Sequence, residues 1–232
     1  MKKIGLLGGL SPESTVKYYQ WINQGVRARL GGQHSAKILI SSVDFGEFLT
    51  LKQQGDWARQ ADILAAEALA LEQAGADFII LATNTMHKVA VDIKAAITIP
   101  FLHLADATAD KIRRENIDKI ALLGTRYTME MDFYKSRLEA KGIAVLTPRQ
   151  EDRARIDTII YDELCNGVIK STSKDEYLRI ISGLEHEGAQ GVILGCTEIS
   201  MLISQADHTM PFFDTTKIHV EAAINAMFSQ DD

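Results

Sequence analysis

A chain of 232 residues, 46% hydrophobic and 24% charged, has ordinary globular composition and the length for two compact units. Its net charge of −6 argues against a basic nucleic-acid surface, yet a locally positive pocket for a small anion remains compatible with it. Two cysteines, Cys165 and Cys196, are too few for a disulfide framework and fit a cytoplasmic setting. No run of about 18 apolar residues occurs, so no membrane span is expected.

In chain order, Met1-Lys2-Lys3 leads into Ile4–Leu10, which carries three glycines and ends in Ser11-Pro12-Glu13-Ser14. This reads as a glycine-rich strand and turn rather than a secretion signal. Strands are predicted at Lys3–Gly8, Ala36–Ser41, Asp77–Ala82 and Phe101–Leu104. A second set follows at Lys119–Gly124, Ile143–Leu146, Gly191–Gly195 and Phe212–Phe213. Between the first pair, Glu13–Leu30 is helical by spacing, with Val16, Tyr19, Ile22 and Val26 expected on one face. Trp57–Ala74 is an alanine- and leucine-rich helix that stops at Gly75. Short apolar strands alternating with helices predict an α/β fold with mainly parallel sheets covered on both faces.

The chain also matches itself. KKIGLLGG at Lys2–Gly9 parallels DKIALLGT at Asp118–Thr125, and GADFIILATNT at Gly75–Thr85 parallels GAQGVILGCTE at Gly188–Glu198. Pro100-Phe101-Leu102 parallels Pro211-Phe212-Phe213, and the three offsets are 116, 113 and 111 residues. Matches in one order at nearly one offset predict two pseudo-symmetric lobes, each a parallel sheet flanked by helices. The boundaries read as residues 1–106 and 107–232, joined near 107–117, with room for the chain to cross between lobes more than once. Ligands of open α/β sheets bind beyond the carboxyl ends of strands. Two related lobes would present two such ends to one cleft, with Thr83 aligned on Cys196.

Cys196 falls where a strand run ends and a helix is expected to begin. Helix-start N–H groups there would lower its pKa from the ordinary value of about 8.5. Burial as a small core residue is the plainer alternative for a free cysteine. Cys165, within the helical pattern Asp157–Gly167, reads as packing. The glycine run is not G-x-G-x-x-G, and the six histidines have no ligand spacing, so neither a nucleotide nor a metal site is predicted.

Taken together, GLLGGLSPEST at Gly5–Thr15, NTMH at Asn84–His87 and GCTEI at Gly195–Ile199 resemble the aspartate/glutamate racemase family. SVDF at Ser42–Phe45, LLGTRYTM at Leu122–Met129 and DTTKIH at Asp214–His219 extend the resemblance over nearly the whole chain. The resemblance implies racemisation of acidic amino acids without pyridoxal phosphate, other cofactor or metal, by a homodimer. In that family's design one thiolate removes the α-proton and a second thiol returns a proton to the opposite face. The usual first motif is Cys-Asn-Thr; this chain has Thr83-Asn84-Thr85. Cys196 is thus the expected base and Thr83 an acid only, which implies that the L-enantiomer of aspartate or glutamate is the better substrate.

The resemblance also assigns Asn84, Thr85 and Thr197 to the α-carboxylate. Glu198 would meet the substrate ammonium or favour a helix start. Ser11 is a further candidate contact, and Lys52 and Arg155 are the candidate cations for the side-chain carboxylate. His87 reads as core or cap, and Asp214 with His219 as structural. Two other functions compete: a single-thiol decarboxylase or cis-trans isomerase of dicarboxylic acids on the same scaffold, and a non-catalytic protein that holds an acidic ligand.

Overall fold

A computed structural model describes residues 1–229. In chain order its elements are β1 (Ile4–Gly8), α1 (Pro12–Leu30), β2 (Ile38–Ser42), α2 (Phe45–Gln54), α3 (Trp57–Gln73), β3 (Phe78–Leu81), α4 (Ala90–Ala96) and α5 (Leu104–Arg114). Then come β4 (Lys119–Gly124), α6 (Arg126–Glu130), α7 (Asp132–Glu139), β5 (Ala144–Leu146), α8 (Gln150–Thr158), α9 (Ser171–His186), β6 (Val192–Gly195), α10 (Ile199–Leu202), β7 (Phe212–Asp214) and α11 (Thr215–Phe228). The chain is an α/β protein with two parallel sheets, ordered β2-β1-β3 and β5-β4-β6-β7.

The first compact unit comprises Met1–Leu104 and the chain from His219 onward. Its strands β1 and β3 read as apolar runs because both faces are covered. Side chains alternate across a strand. Leu7, Ile79 and Leu81 therefore pack with Leu64, Ala68 and Leu71 of α3. Ile4, Leu6, Phe78 and Ile80 pack on the other face with Tyr18, Ile22 and Val26 of α1 and with Val220, Ala223 and Met227 of α11. Each such aliphatic side chain, fully buried, stabilises the fold by roughly 1.5–3 kcal/mol.

Three expectations change here. The assignment of 107–232 to one lobe fails at its end, because the apolar stripe of α11 covers the first sheet and the Lys2 amide bonds the Met227 carbonyl at 2.8 Å. On α1 the buried stripe is Tyr18-Ile22-Val26, while Val16 and Tyr19 are exposed. Tyr18 can be buried because its hydroxyl meets His219 Nδ1 at 2.8 Å. Phe101–Leu104 makes one parallel bridge, Phe101 to Ile79, and then turns into α5. Its counterpart in the repeat, β7, pairs over three residues with β6.

The second unit comprises Ala105–Ile218. Ala121, Leu123, Val192 and Leu194 share a core with Ile156 of α8, Tyr177, Ile180 and Leu184 of α9, and Ile199 of α10. Between α8 and α9 the chain runs through a π turn, Ile159–Glu163, and a short 3₁₀ turn, Leu164–Asn166. That change of pitch buries Leu164 and leaves Cys165 exposed, so the packing role expected for Cys165 does not hold.

Candidate active site

In the first unit the ends of β1 and β3 lie side by side, with Leu7 in register with Leu81. After β1, Gly9 adopts φ 84°, and a Cβ there would lie 2.2 Å from the Val43 carbonyl oxygen; only glycine fits the turn. Thr15 and Ser14 then tie α1 to the strand ends. The Gly9 amide donates to Thr15 Oγ1 at 2.9 Å, and Ser14 Oγ donates to the Ala82 carbonyl at 3.1 Å. Ser11 caps α1, accepting from the Ser14 amide at 3.3 Å and donating to Glu13 Oε2 at 3.2 Å.

Beyond β3 the Thr83 amide turns back to the Leu81 carbonyl at 2.9 Å. Thr83 is half-buried, and Asn84 and Thr85 are buried at the start of the 3₁₀ turn Thr85–Val89. His87, two residues into that turn, bonds the Thr83 carbonyl through Nδ1 at 2.7 Å. Ser11, Thr83, Asn84 and Thr85 thus share the carboxyl edge of the first sheet. Lys52 is on α2, which follows β2.

In the second unit β6 ends at Gly195, where a Cβ would lie 2.7 Å from the Leu123 carbonyl oxygen. The close approach of β4 therefore requires glycine immediately before Cys196. Cys196 is half-buried at the strand end, and Thr197 and Glu198 are buried beside it. Glu198 Oε2 receives both the Cys196 thiol, at 2.7 Å, and the Thr197 hydroxyl, at 2.7 Å. Glu198 is thus turned onto the thiol.

The expected lowering of the thiol pKa does not occur. Burial pushes the Cys196 thiol well up, and the charge and hydrogen bond of Glu198 push it further. The helix that was to lower it, α10, has only four residues and starts three positions later, too little for a useful dipole. A raised pKa makes the thiolate scarce but strongly basic.

Sequence reasoning missed two neighbours. Burial raises the pKa of Tyr161, on the π turn, and of Tyr177, on α9, and both also feel the charge of Cys196. A π turn gives no periodic signal in sequence, so Tyr161 could not be placed beforehand. Arg155 of α8 holds Glu176 of α9 through Nε at 2.7 Å and a second guanidinium nitrogen at 3.0 Å. Asp214 accepts from the Thr216 and Lys217 amides at the start of α11, a capping role. His219 is fully buried, its pKa lowered to about 4 by burial. Among the described residues, no group of three or more His, Cys, Asp and Glu is arranged to hold a metal ion, and no helix is long and apolar enough to cross a membrane.

The profile of the Asp/Glu/hydantoin racemases matches residues 7–223. The chain belongs to that family. It is 54% identical to a Yersinia pestis crystal structure provisionally named an Asp/Glu racemase, over 99% of this chain and 100% of that one, with a TM-score of 0.95. It is 37% identical to PH1733, an aspartate racemase homologue from Pyrococcus horikoshii OT3, over 99% and 100% of the two chains, with a TM-score of 0.87. Among curated proteins, the broad specificity amino-acid racemase RacX of Bacillus subtilis (strain 168) is 22% identical, over 96% of each chain.

Proposed function

We propose that this chain is a racemase of aspartate, glutamate or both that works without pyridoxal phosphate or metal. Cys196 is the base that removes the α-proton of the L-enantiomer, and the Thr83 hydroxyl supplies a proton to the opposite face. The observation that carries the reading is the Cys196 thiol at the end of β6, held at 2.7 Å by the Glu198 carboxylate. A carboxylate in that place accepts the thiol's hydrogen bond, and its charge raises the thiol pKa, so the thiolate, once formed, is a strong base. Asn84, Thr85 and Thr197 are neutral donors suited to the α-carboxylate, and Ser11 is a further candidate contact. Glu198 retains its candidate role as partner of the substrate ammonium. Lys52 and Arg155 remain the candidate cations for the substrate side chain, Arg155 with its guanidinium on Glu176. The working form we propose is a cytoplasmic homodimer, to be checked by sedimentation.

Proton NMR in D₂O tests the reading. Loss of the α-proton signal from L-aspartate or L-glutamate, with appearance of the D-enantiomer, supports it. Turnover of malonates or maleate without amino-acid exchange would replace it with the single-thiol decarboxylase or isomerase. Binding of an acidic amino acid without exchange would make the chain a ligand-binding protein.

A further inference from the structure

His87 sits within the motif that carries Thr83 but has no part in the chemistry described so far. It is buried, with 2% of its surface exposed. Its Nε2 faces the backbone amide of Leu104 at 3.2 Å, and its Nδ1 faces the Thr83 carbonyl oxygen at 2.7 Å. An amide N–H can only donate and a carbonyl can only accept, so the two partners fix the ring. The imidazole is neutral, with its proton on Nδ1, and an imidazolium would have no lone pair for Leu104.

We propose that His87 is the positioning residue of the proton-donor side: its Nδ1–H clamps the Thr83 carbonyl and so fixes the direction of the Thr83 hydroxyl. This rests on the role proposed above for Thr83. Entering a helical turn, the carbonyl of residue 83 would ordinarily be met by a backbone amide three or four positions on. Here the His87 backbone amide goes to the Asn84 carbonyl instead, at 3.1 Å, and the His87 side chain takes Thr83. With its amide on the Leu81 carbonyl at 2.9 Å, Thr83 is held on both sides of its Cα. A β-branched side chain has few χ1 choices once its backbone is fixed, so the clamp reaches the hydroxyl. The ring cannot swing away, since Phe101 and His103 lie against it with ring centroids at 5.7 and 4.4 Å. Misplacing a reacting group by about 1 Å costs on the order of a hundredfold in rate.

The test measures a partition. In D₂O the thiol that Cys196 forms trades its proton with solvent, so the α-proton of the L-substrate is exchanged whether or not the carbanion is captured from the other side. The ratio of D-product formed to L-substrate exchanged therefore reports the donor side alone. It is measured with L-aspartate and L-glutamate for the wild type, Thr83→Ala, His87→Asn and His87→Gln. Asparagine places its amide N–H near Nδ1 and keeps the donor to Thr83; glutamine reaches the Nε2 position and loses it. His87→Gln is expected to lower the ratio at least about tenfold while exchange stays within about threefold, and His87→Asn to keep the ratio within about threefold. Equal effects of the two variants, or inversion and exchange falling together, would reduce His87 to a packing residue and overturn the proposal. If Thr83→Ala leaves the ratio unchanged, the role given to Thr83 has failed. If Thr83→Ala lowers the ratio and His87→Gln does not, only the clamp has failed.

Discussion

Exchanging Glu198 for glutamine removes one charge from beside the Cys196 sulfur and keeps an oxygen there to accept a hydrogen bond. The thiol lies 2.7 Å from Glu198 Oε2. Two unit charges about 4 Å apart interact by about 4 kcal/mol where the effective dielectric is about 20. Cys196 is only half-buried, so solvent screens part of this. Even a third of it, about 1.4 kcal/mol, is a tenfold change in thiolate population. Because burial and Glu198 raise the Cys196 pKa, the wild-type thiol should be mostly protonated at neutral pH and alkylated slowly. In Glu198→Gln the thiolate should become more abundant and alkylation by iodoacetamide at pH 7.5 at least about tenfold faster. Cys165, exposed in the same molecule, is the reference thiol, read separately by mass spectrometry of the two peptides. Unchanged Cys196 reactivity in the variant, or a wild-type Cys196 already faster than Cys165 at pH 7, would refute the argument that Glu198 holds the thiol protonated.

Cys196→Ala should abolish α-proton exchange while the far-ultraviolet circular dichroism is retained; more than about a tenth of wild-type activity, a barrier change below about 1.4 kcal/mol, would mean another base operates. Because the base must be deprotonated and its pKa is raised, exchange from L-substrate should keep climbing with pH beyond about 8.5, where an ordinary thiol would level off; a plateau near pH 7 would contradict this. His219, with a folded pKa of about 4 against the ordinary 6.5 of a free imidazole, binds its proton more readily when unfolded. It therefore takes away stability as pH falls from 6.5 toward 4, by about 3 kcal/mol in all. In urea titrations the stability gap between wild type and His219→Gln should narrow over that window and stay constant above it. Thr83→Cys should raise turnover from the D-side, measured by steady-state kinetics on both enantiomers.

Most of the fold was legible because the strands are short apolar runs separated by helical spacing, and the repeat showed that they occur twice. Seven of the eight expected strands form. Phe101–Leu104 stops after one bridge because Leu104 already begins α5, a competition that apolar spacing cannot register. The error on α1 has a similar origin. Val16 and Tyr19 fit a helical stripe as well as Tyr18 does, and only the His219 partner for the Tyr18 hydroxyl decides between them. At the candidate site the residue types were readable and the electrostatics were not. A thiol after a strand and before a helix suggests a lowered pKa, and the result depends on helix length and on where the Glu198 side chain turns. Neither is encoded in local sequence spacing.

The proposed asymmetry between Thr83 and Cys196 is constrained by thermodynamics. The enantiomers of an amino acid have equal free energy in an achiral solvent, so kcat/KM must be the same in both directions of a racemisation. By microscopic reversibility, proton donation from Thr83 in one direction is proton removal by its alkoxide in the other. A threonine alkoxide is scarce at neutral pH, which slows the D-side step in both directions alike. A preference for L-substrate therefore cannot be an unequal kcat/KM for racemisation. It must appear as exchange at Cys196 that outruns inversion, or in kcat and KM taken separately. The thiol that Cys196 forms trades its proton with solvent, and the carbanion is recaptured from that side many times before Thr83 delivers a proton from the other. On this reasoning the wild type should exchange the α-proton of L-substrate many times for each D-molecule it makes, and Thr83→Cys should bring the two rates together. Exchange and inversion running at equal rates in the wild type would mean that the second proton donor is a far stronger acid than a threonine hydroxyl.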